Sequence, residues 1–235
     1  MLQNKSKIFF NFKTFPYLII DDALPIDLYN KLKSSFPSNE KIIAHNEYKE
    51  NFAYRYNANQ SLNDPKISND WKEFIRYHTS FDFLNEFYDI FGDSIKKIYK
   101  VEKDKLFNEN SIGVRFQKKN YFNLDCQFVI NTPTSGDTSV IEPHLDNPVE
   151  FYAALLYMKD DDDDSNGGNL TTYTFKDKPS FYGKSRVRED KINLIEEIEY
   201  KKNRLVMFLN SPYSLHGVTK RSKTNFYRKY INIIG

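Results

Sequence analysis

The feature that most narrows what this chain can fold into is a change of texture at about Ser111. From there to the C-terminus, short runs rich in Val, Ile, Phe, Tyr and Thr alternate with turn residues. They are IGVRFQ (112–117), DCQFVINTP (125–133), FYAALLYM (151–158), NLTTYTF (169–175), RLVMFLN (204–210) and KYINII (229–234). Runs of this length and spacing predict strands, and six in succession predict an antiparallel sandwich or barrel. The 20 Phe and 17 Tyr supply the large side chains that a core between sheets buries. A single domain over residues 1–235 is expected, mainly β with flanking α-helices packed outside a sandwich or barrel from about residue 111.

Before residue 111 the pattern is mixed. FPYLIIDDALP reads as a strand over Tyr17 to Ile20, closed by acidic turn residues and Pro25. Leu28, Leu32 and Phe36 then recur at helical spacing until Pro37 stops the run. A second helical region is predicted from about Asp70 to Phe91, with Trp71, Phe74, Ile75, Phe83, Phe87 and Ile90 on the face packed against a sheet. Residues 176–203, charged throughout, read as an insertion between two strands, either a flap near a site or a surface excursion.

Composition removes several function classes. The 34 Lys and Arg nearly balance 32 Asp and Glu, so a net charge of +2 provides no whole-chain field for nucleic acid or an anionic membrane. The basic stretches at residues 95–105, 116–122 and 218–229 have acidic neighbours and read as solvated faces. No apolar run approaches the length of a membrane span, and the opening MLQNKSKIFFNF has no leader-like segment. With one cysteine, Cys126, read as a small core residue, a soluble, cytoplasmic setting is expected. The acidic run Asp160 to Asp164 lacks the alternating pattern of a calcium loop and reads as a solvated turn.

The chemistry concentrates in IEPHLDNPVE, residues 141–150. On an extended strand His144 and Asp146, two apart, project to the same side, as two ligands of one ion must. A His-x-Asp tripeptide arises easily by chance, so a third ligand is required. His45 and His78 read as surface positions on helix or loop. His216 ends a hydrophobic run and precedes Gly217, which lets the backbone turn close beside a ligand or simply ends a strand. Two histidines and one carboxylate suit ferrous iron and leave coordination positions open.

These residues resemble the iron(II)- and 2-oxoglutarate-dependent dioxygenases, particularly the prolyl hydroxylase-like branch. His144, Asp146 and His216 match that family's ligands in order, and Arg228, twelve residues after His216, matches its basic residue on the last strand, usually about ten residues on. Gly167 to Phe175 looks like its Gly-Gly-x-Leu strand, and FPYLIIDDALPIDLYNKL like its opening strand and helix. The resemblance is weakest over 44–107 and 176–202. It implies a double-stranded β-helix fold and hydroxylation of a substrate by Fe(II), 2-oxoglutarate and O2, with release of succinate and CO2.

The resemblance also implies residue roles. Arg228 would pair in bidentate fashion with the distal carboxylate of 2-oxoglutarate. Arg221 and Lys220 compete for that role from what reads as a turn, and Lys229 faces the other way. Tyr157, Thr172 or Tyr173 would supply an assisting hydroxyl. Gln127 and Asn131 alternate along a strand and either line the pocket or satisfy buried backbone groups. Retention of Asp146 favours hydroxylation over halogenation, which needs that ligand position free. Two rivals stand beside this reading: a cupin-like metalloenzyme without 2-oxoglutarate, and a non-catalytic jelly-roll binding or structural module. The substrate, a peptidyl proline or a small molecule, and the oligomeric state are not fixed by sequence.

Overall fold

A computed structural model describes residues 8–11, 15–103, 109–117, 120–178 and 187–235. Most of the opening segment MLQNKSKIFFNF, parts of two basic stretches (104–105 and 118–119) and residues 179–186 of the expected insertion lie outside the described residues.

The chain opens with strands β1 (Ile8–Asn11) and β2 (Tyr17–Ile20), then helices α1 (Ile26–Ser34) and α2 (Asn39–Ile43), strand β3 (Ala53–Tyr56) and helices α3 (Ala58–Asn63), α4 (Asn69–His78) and α5 (Phe81–Tyr99). Strands β4 (Ile112–Val114), β5 (Phe122–Asn131), β6 (Tyr152–Tyr157), β7 (Leu170–Phe175), β8 (Ile192–Ile198), β9 (Leu205–Leu209), β10 (His216–Val218) and β11 (Arg228–Ile234) follow. The larger sheet runs β1-β2-β9-β6-β11-β5-β3, with β4 added parallel to β5, and the smaller runs β10-β7-β8.

Alternation along the strands of the larger sheet assigns its two faces. Cys126, Phe128, Leu156, Met207, Ile231 and Ile233 point one way, into a core shared with the helices. There Trp71 meets Phe128 edge-on at 4.7 Å and Phe87 stacks on Tyr152 at 4.5 Å. Val129, Ala153, Tyr157, Val206, Phe208 and Tyr230 point the other way, toward Leu170 and Ile198 of the smaller sheet. Two sheets thus face each other with helices behind one of them, the layering of a double-stranded β-helix.

Several expectations change. The region 70–91 is two helices, because Ser80 caps a new one by accepting from the Phe83 N–H. In α1 Tyr29 is buried while Leu28 is exposed. IGVRFQ leaves the sheet after Val114 and pairs parallel, not antiparallel. The expected insertion contributes β8, whose outer residues face solvent and so hide the strand pattern, while Ile198 and Tyr200 turn inward. His78 is buried against Phe74 and Phe83, not at the surface, whereas His45 is exposed. Cys126 is buried in the core as expected. In the acidic run Asp160 pairs with Lys229, Asp161 with Lys33 and Lys202, and Asp163 is buried, so the turn is pinned. No helix among the described residues is long and apolar enough to cross a membrane.

Candidate metal centre

His144 and His216 come from different segments joined by an isolated antiparallel bridge, and His144 and Asp146 lie outside any named strand, not on a regular strand as expected. The His144 N–H donates to the His216 carbonyl at 2.8 Å and the reverse bond is 3.0 Å. Leu145 sinks into a small cluster with Leu215, Val187 and Ile192. Extended backbone then turns His144 and Asp146 to the opposite side, toward His216. Gly217 fits because a side chain there would press on the Pro143 backbone: a Cβ would lie 3.1 Å from Pro143 N.

The tautomers follow from hydrogen bonding. His144 Nδ1 lies 2.8 Å from the Glu142 carbonyl and His216 Nδ1 lies 2.8 Å from the Ser214 carbonyl. A carbonyl only accepts, so each Nδ1 carries the proton and each Nε2 presents a lone pair. His144 Nε2 is 3.4 Å from Asp146 Oδ1, and His216 Nε2 is 3.7 Å from Asp146 Oδ2. One ligand atom from each of the three residues falls within 4.8 Å of the others. Such a convergence of acceptors is repulsive without a cation among them, and the neutral-imidazole and carboxylate set fits ferrous iron. Burial lowers the pKa of His216, which keeps it neutral and able to ligate. Burial works to raise the pKa of Asp146, and positive charge on the side of the two histidines works to lower it.

Across the same interior lies a second constellation. Arg228, first residue of β11, is buried at 2% exposure and is ringed by Tyr157, Tyr200 and Tyr230, with its guanidinium carbon 4.7–5.0 Å from each ring centroid. Arg228 Nε and Nη2, Thr172 Oγ1 and both amide atoms of buried Asn131 have no hydrogen-bond partner among the described residues. The Tyr157 hydroxyl is close enough to Arg228 for the cation to offset part of the burial that raises its pKa, but completes no hydrogen bond of good geometry. Asn131 sits opposite Arg228 in the β5–β11 register and Thr172 opposite His216 in β7–β10. These unmet donors and acceptors form a polar lining between the Nε2 atoms and a buried cation, the requirement for an elongated anion with donor atoms at both ends.

Arg221 is not in an exposed turn. It is buried beside Arg228, and its Nη1 and Nη2 donate to the carbonyls of Thr132 and Phe226 at 3.1 and 2.7 Å. Burial, then the neighbouring Arg228 charge, lowers its pKa. Lys229 turns away to Asp160, as its strand parity predicted. Tyr173 faces the Leu145 cluster and leaves the competition for the assisting hydroxyl, while Tyr157 and Thr172 remain. Gln127 binds a side chain and not backbone: Nε2 donates to the Asp125 carboxylate at 2.6 Å, while Oε1 is left without a partner among the described residues. Tyr200, which stacks on Arg228 and exchanges hydrogen bonds with the Lys229 backbone, was hidden in the expected insertion. Its signal was one aromatic after an inward Ile198.

The chain resembles several solved structures at low identity. A prolyl-4-hydroxylase from Pseudomonas putida shares 14% identity with TM-score 0.46, over 93% of this chain and 90% of that one. A prolyl 4-hydroxylase from Phytophthora capsici shares 15% with TM-score 0.48, over 93% of this chain and 57% of that one. A dioxygenase for auxin oxidation from Arabidopsis thaliana, solved with 2-oxoglutarate, shares 11% with TM-score 0.51, over 94% and 83%, and supports the fold. No curated protein matches the sequence. The stretch from Phe128 to Ile233, which carries the three convergent ligands and Arg228, matches the family model of the 2OG-Fe(II) oxygenase superfamily.

Proposed function

We propose that the protein is a hydroxylase in which His144, Asp146 and His216 hold Fe(II) and Arg228 holds the distal carboxylate of 2-oxoglutarate, with Tyr157 and Thr172 as assisting hydroxyls. The observation that carries this reading is the pairing of three convergent ligand atoms with a buried arginine that lacks an acid partner among the described residues. That arginine favours a 2-oxoglutarate enzyme over a cupin-like metalloenzyme, which has no use for it.

When bound, iron and 2-oxoglutarate supply the oxidising chemistry: substrate R–H, O2 and 2-oxoglutarate become R–OH, succinate and CO2. The chain's own residues bind, orient and exclude water. The Glu142 and Ser214 carbonyls hold the imidazoles in one tautomer, and the tyrosines around Arg228 dry its guanidinium, so that a carboxylate there pairs strongly. We place all 235 residues in one functional unit, with a peptide or small molecule as substrate and an intracellular setting.

Anaerobic titration tests the reading. Adding 2-oxoglutarate to the Fe(II)-loaded protein is expected to produce a visible metal-to-ligand charge-transfer band. Asp146→Ala should remove metal binding, and Arg228→Ala should weaken 2-oxoglutarate binding with metal binding intact. Absence of 2-oxoglutarate binding by the loaded protein would refute it.

A further inference from the structure

Beyond the iron and 2-oxoglutarate positions, the edge of the larger sheet made by β4, β5 and β3 carries a second set of polar groups on the same inner face. Ile112, Val114 and Leu124 pack into the helical core, so the alternation turns Asp125 inward, and Arg115, in the turn that ends β4, is held beside it by its N–H to the Leu124 carbonyl at 2.9 Å. Tyr54 and Tyr56 likewise belong to the helical side, which puts Ala53 and Arg55 on the opposite face of edge strand β3, where Arg55 is exposed and lies opposite Val129. Arg55 acts electrostatically on Asp146 and Glu150, and Arg115 on Asp125 and Glu150. Neither forms an ion pair among the described residues.

The acids nearby are already engaged or contested. Asp125 accepts from the Ala58 and Cys126 N–H groups and from Gln127, and Glu150 has its pKa raised by burial and by the charge of Asp146. Binding Asp125 fixes the Gln127 amide, since a carboxylate takes only the NH2 end. Gln127 Oε1, in a residue 6% exposed, is therefore an acceptor held toward the interior with nothing to accept from. A buried acceptor of this kind carries its full desolvation penalty unless a ligand donor meets it. Phe116 adds an independent sign. It holds a left-handed backbone, φ 68°, is 66% exposed, and lies 5.1 Å from the Arg115 guanidinium carbon. Backbone strain of this kind clusters at active sites and ligand clamps.

We propose that this edge is the substrate side of the site, where Arg55 and Arg115 receive a substrate carboxylate and Gln127 Oε1 accepts a substrate N–H. The chemistry shared by ligands of that description is an amide N–H near a carboxylate, as in an N-acylated acidic amino acid or an acidic peptide segment. The inference rests on the oxygenase reading for the place of the reacting carbon, but the anion preference is a property of the two arginines alone.

The test is calorimetric and uses the full chain with Mn(II) and saturating 2-oxoglutarate, so that Arg228 is already occupied. The probes are N-acetyl-L-glutamate and its amide counterpart N-acetyl-L-glutamine, and the peptide acetyl-Gly-Glu-Pro-Glu-Gly-amide with its Gln counterpart. At least one acid is expected to bind about tenfold or more tighter than its amide, as a charge-assisted pair implies. The Arg55→Gln/Arg115→Gln variant should lose that preference. Preference for the acetylated amino acid identifies a small-molecule source, and preference confined to the peptide identifies an acidic segment. Failure of both acids to bind, equal binding of acid and amide, or a preference that survives the double substitution would overturn the proposal. Repeating the titration without metal and 2-oxoglutarate, with Arg228→Gln as comparison, separates the two readings: if 2-oxoglutarate fails to bind while the Arg55- and Arg115-dependent preference persists, the oxygenase reading falls and the subsite stands.

Discussion

His144 and His216 are backbone partners as well as candidate ligands of one ion, each donating its N–H to the other's carbonyl. The separation of their imidazoles is thereby set by a main-chain bridge, with ring centroids 4.4 Å apart. Gly217 permits the close approach of that bridge, since a Cβ would lie 3.1–3.3 Å from Pro143 and Glu142 backbone atoms. Gly217→Val should push the 142–146 segment outward and weaken Mn(II) affinity by about tenfold, roughly the cost of a displaced supporting interaction at a metal site. Gly217→Ala should weaken it less. Metal titration checks this, with circular dichroism to verify the fold, and unchanged affinity in the valine variant would contradict it.

Arg221 is expected to act on 2-oxoglutarate without touching it. Its two bonds tie the carbonyl of Thr132, next to Asn131, to that of Phe226, two residues before Arg228. Arg221→Met keeps the aliphatic stem and removes both bonds, at a cost of about 1–3 kcal/mol in stability. Its 2-oxoglutarate dissociation constant should rise about tenfold, against about a hundredfold for Arg228→Gln, where a charge-assisted pair is lost and a site built for it is left unfilled. Calorimetry on the Mn(II)-loaded protein reads both. An Arg221→Met effect on stability alone would show a purely structural brace.

The metal centre was legible in the sequence because its signal is local: His-x-Asp is one tripeptide, and His216 and Arg228 follow recognisable strands. The polar wall was less legible because it depends on which strand faces which. Arg221 looked like a turn residue because its burial comes from Gly168 and from the carbonyls it meets, all distant in sequence. Strand β8 was hidden because Asn193, Leu194, Ile195 and Glu197 are not buried and break the alternation that marks a half-buried strand. Arg55 and Arg115 carry no motif, and only the registers β3–β5 and β4–β5 bring them to one edge.

The Gly167-Gly168 pair is required by both backbone and space. Both residues have positive φ, 81° and 75°. A Cβ on Gly167 would fall 1.8 Å from the Lys220 carbonyl oxygen, and one on Gly168 would lie 3.1–3.3 Å from the Arg221 and Arg228 stems. Gly168→Ala should cost about 1–3 kcal/mol through backbone strain and reduce 2-oxoglutarate affinity through the displaced arginines. Gly167→Ala should cost more, because backbone must move. Urea unfolding of the two variants checks the order, and equal midpoints with the parent protein would refute the account.

His78 makes stability depend on pH independently of the metal centre. Its ring is buried among Phe74, Tyr77 and Phe83, its Nδ1 donates to the Phe74 carbonyl at 2.7 Å, and its Nε2 has no partner among the described residues. Burial pushes its pKa down to about 3 from an ordinary 6.5. Between those values the unfolded chain takes up a proton at this histidine and the folded chain does not. The contribution is therefore fully present above about pH 6.5 and is lost as the pH falls toward 3, at about 1.4 kcal/mol for each unit by which the pKa is depressed. His78→Phe removes the titrating group while keeping an aromatic ring among aromatic neighbours. The stability difference between parent and variant should shift in the variant's favour as the pH falls from 7 to 4, measured by urea unfolding at four or so pH values. Other carboxylates titrate in both proteins and cancel in that difference, so a difference constant across the range would show that His78 is protonated in the folded chain.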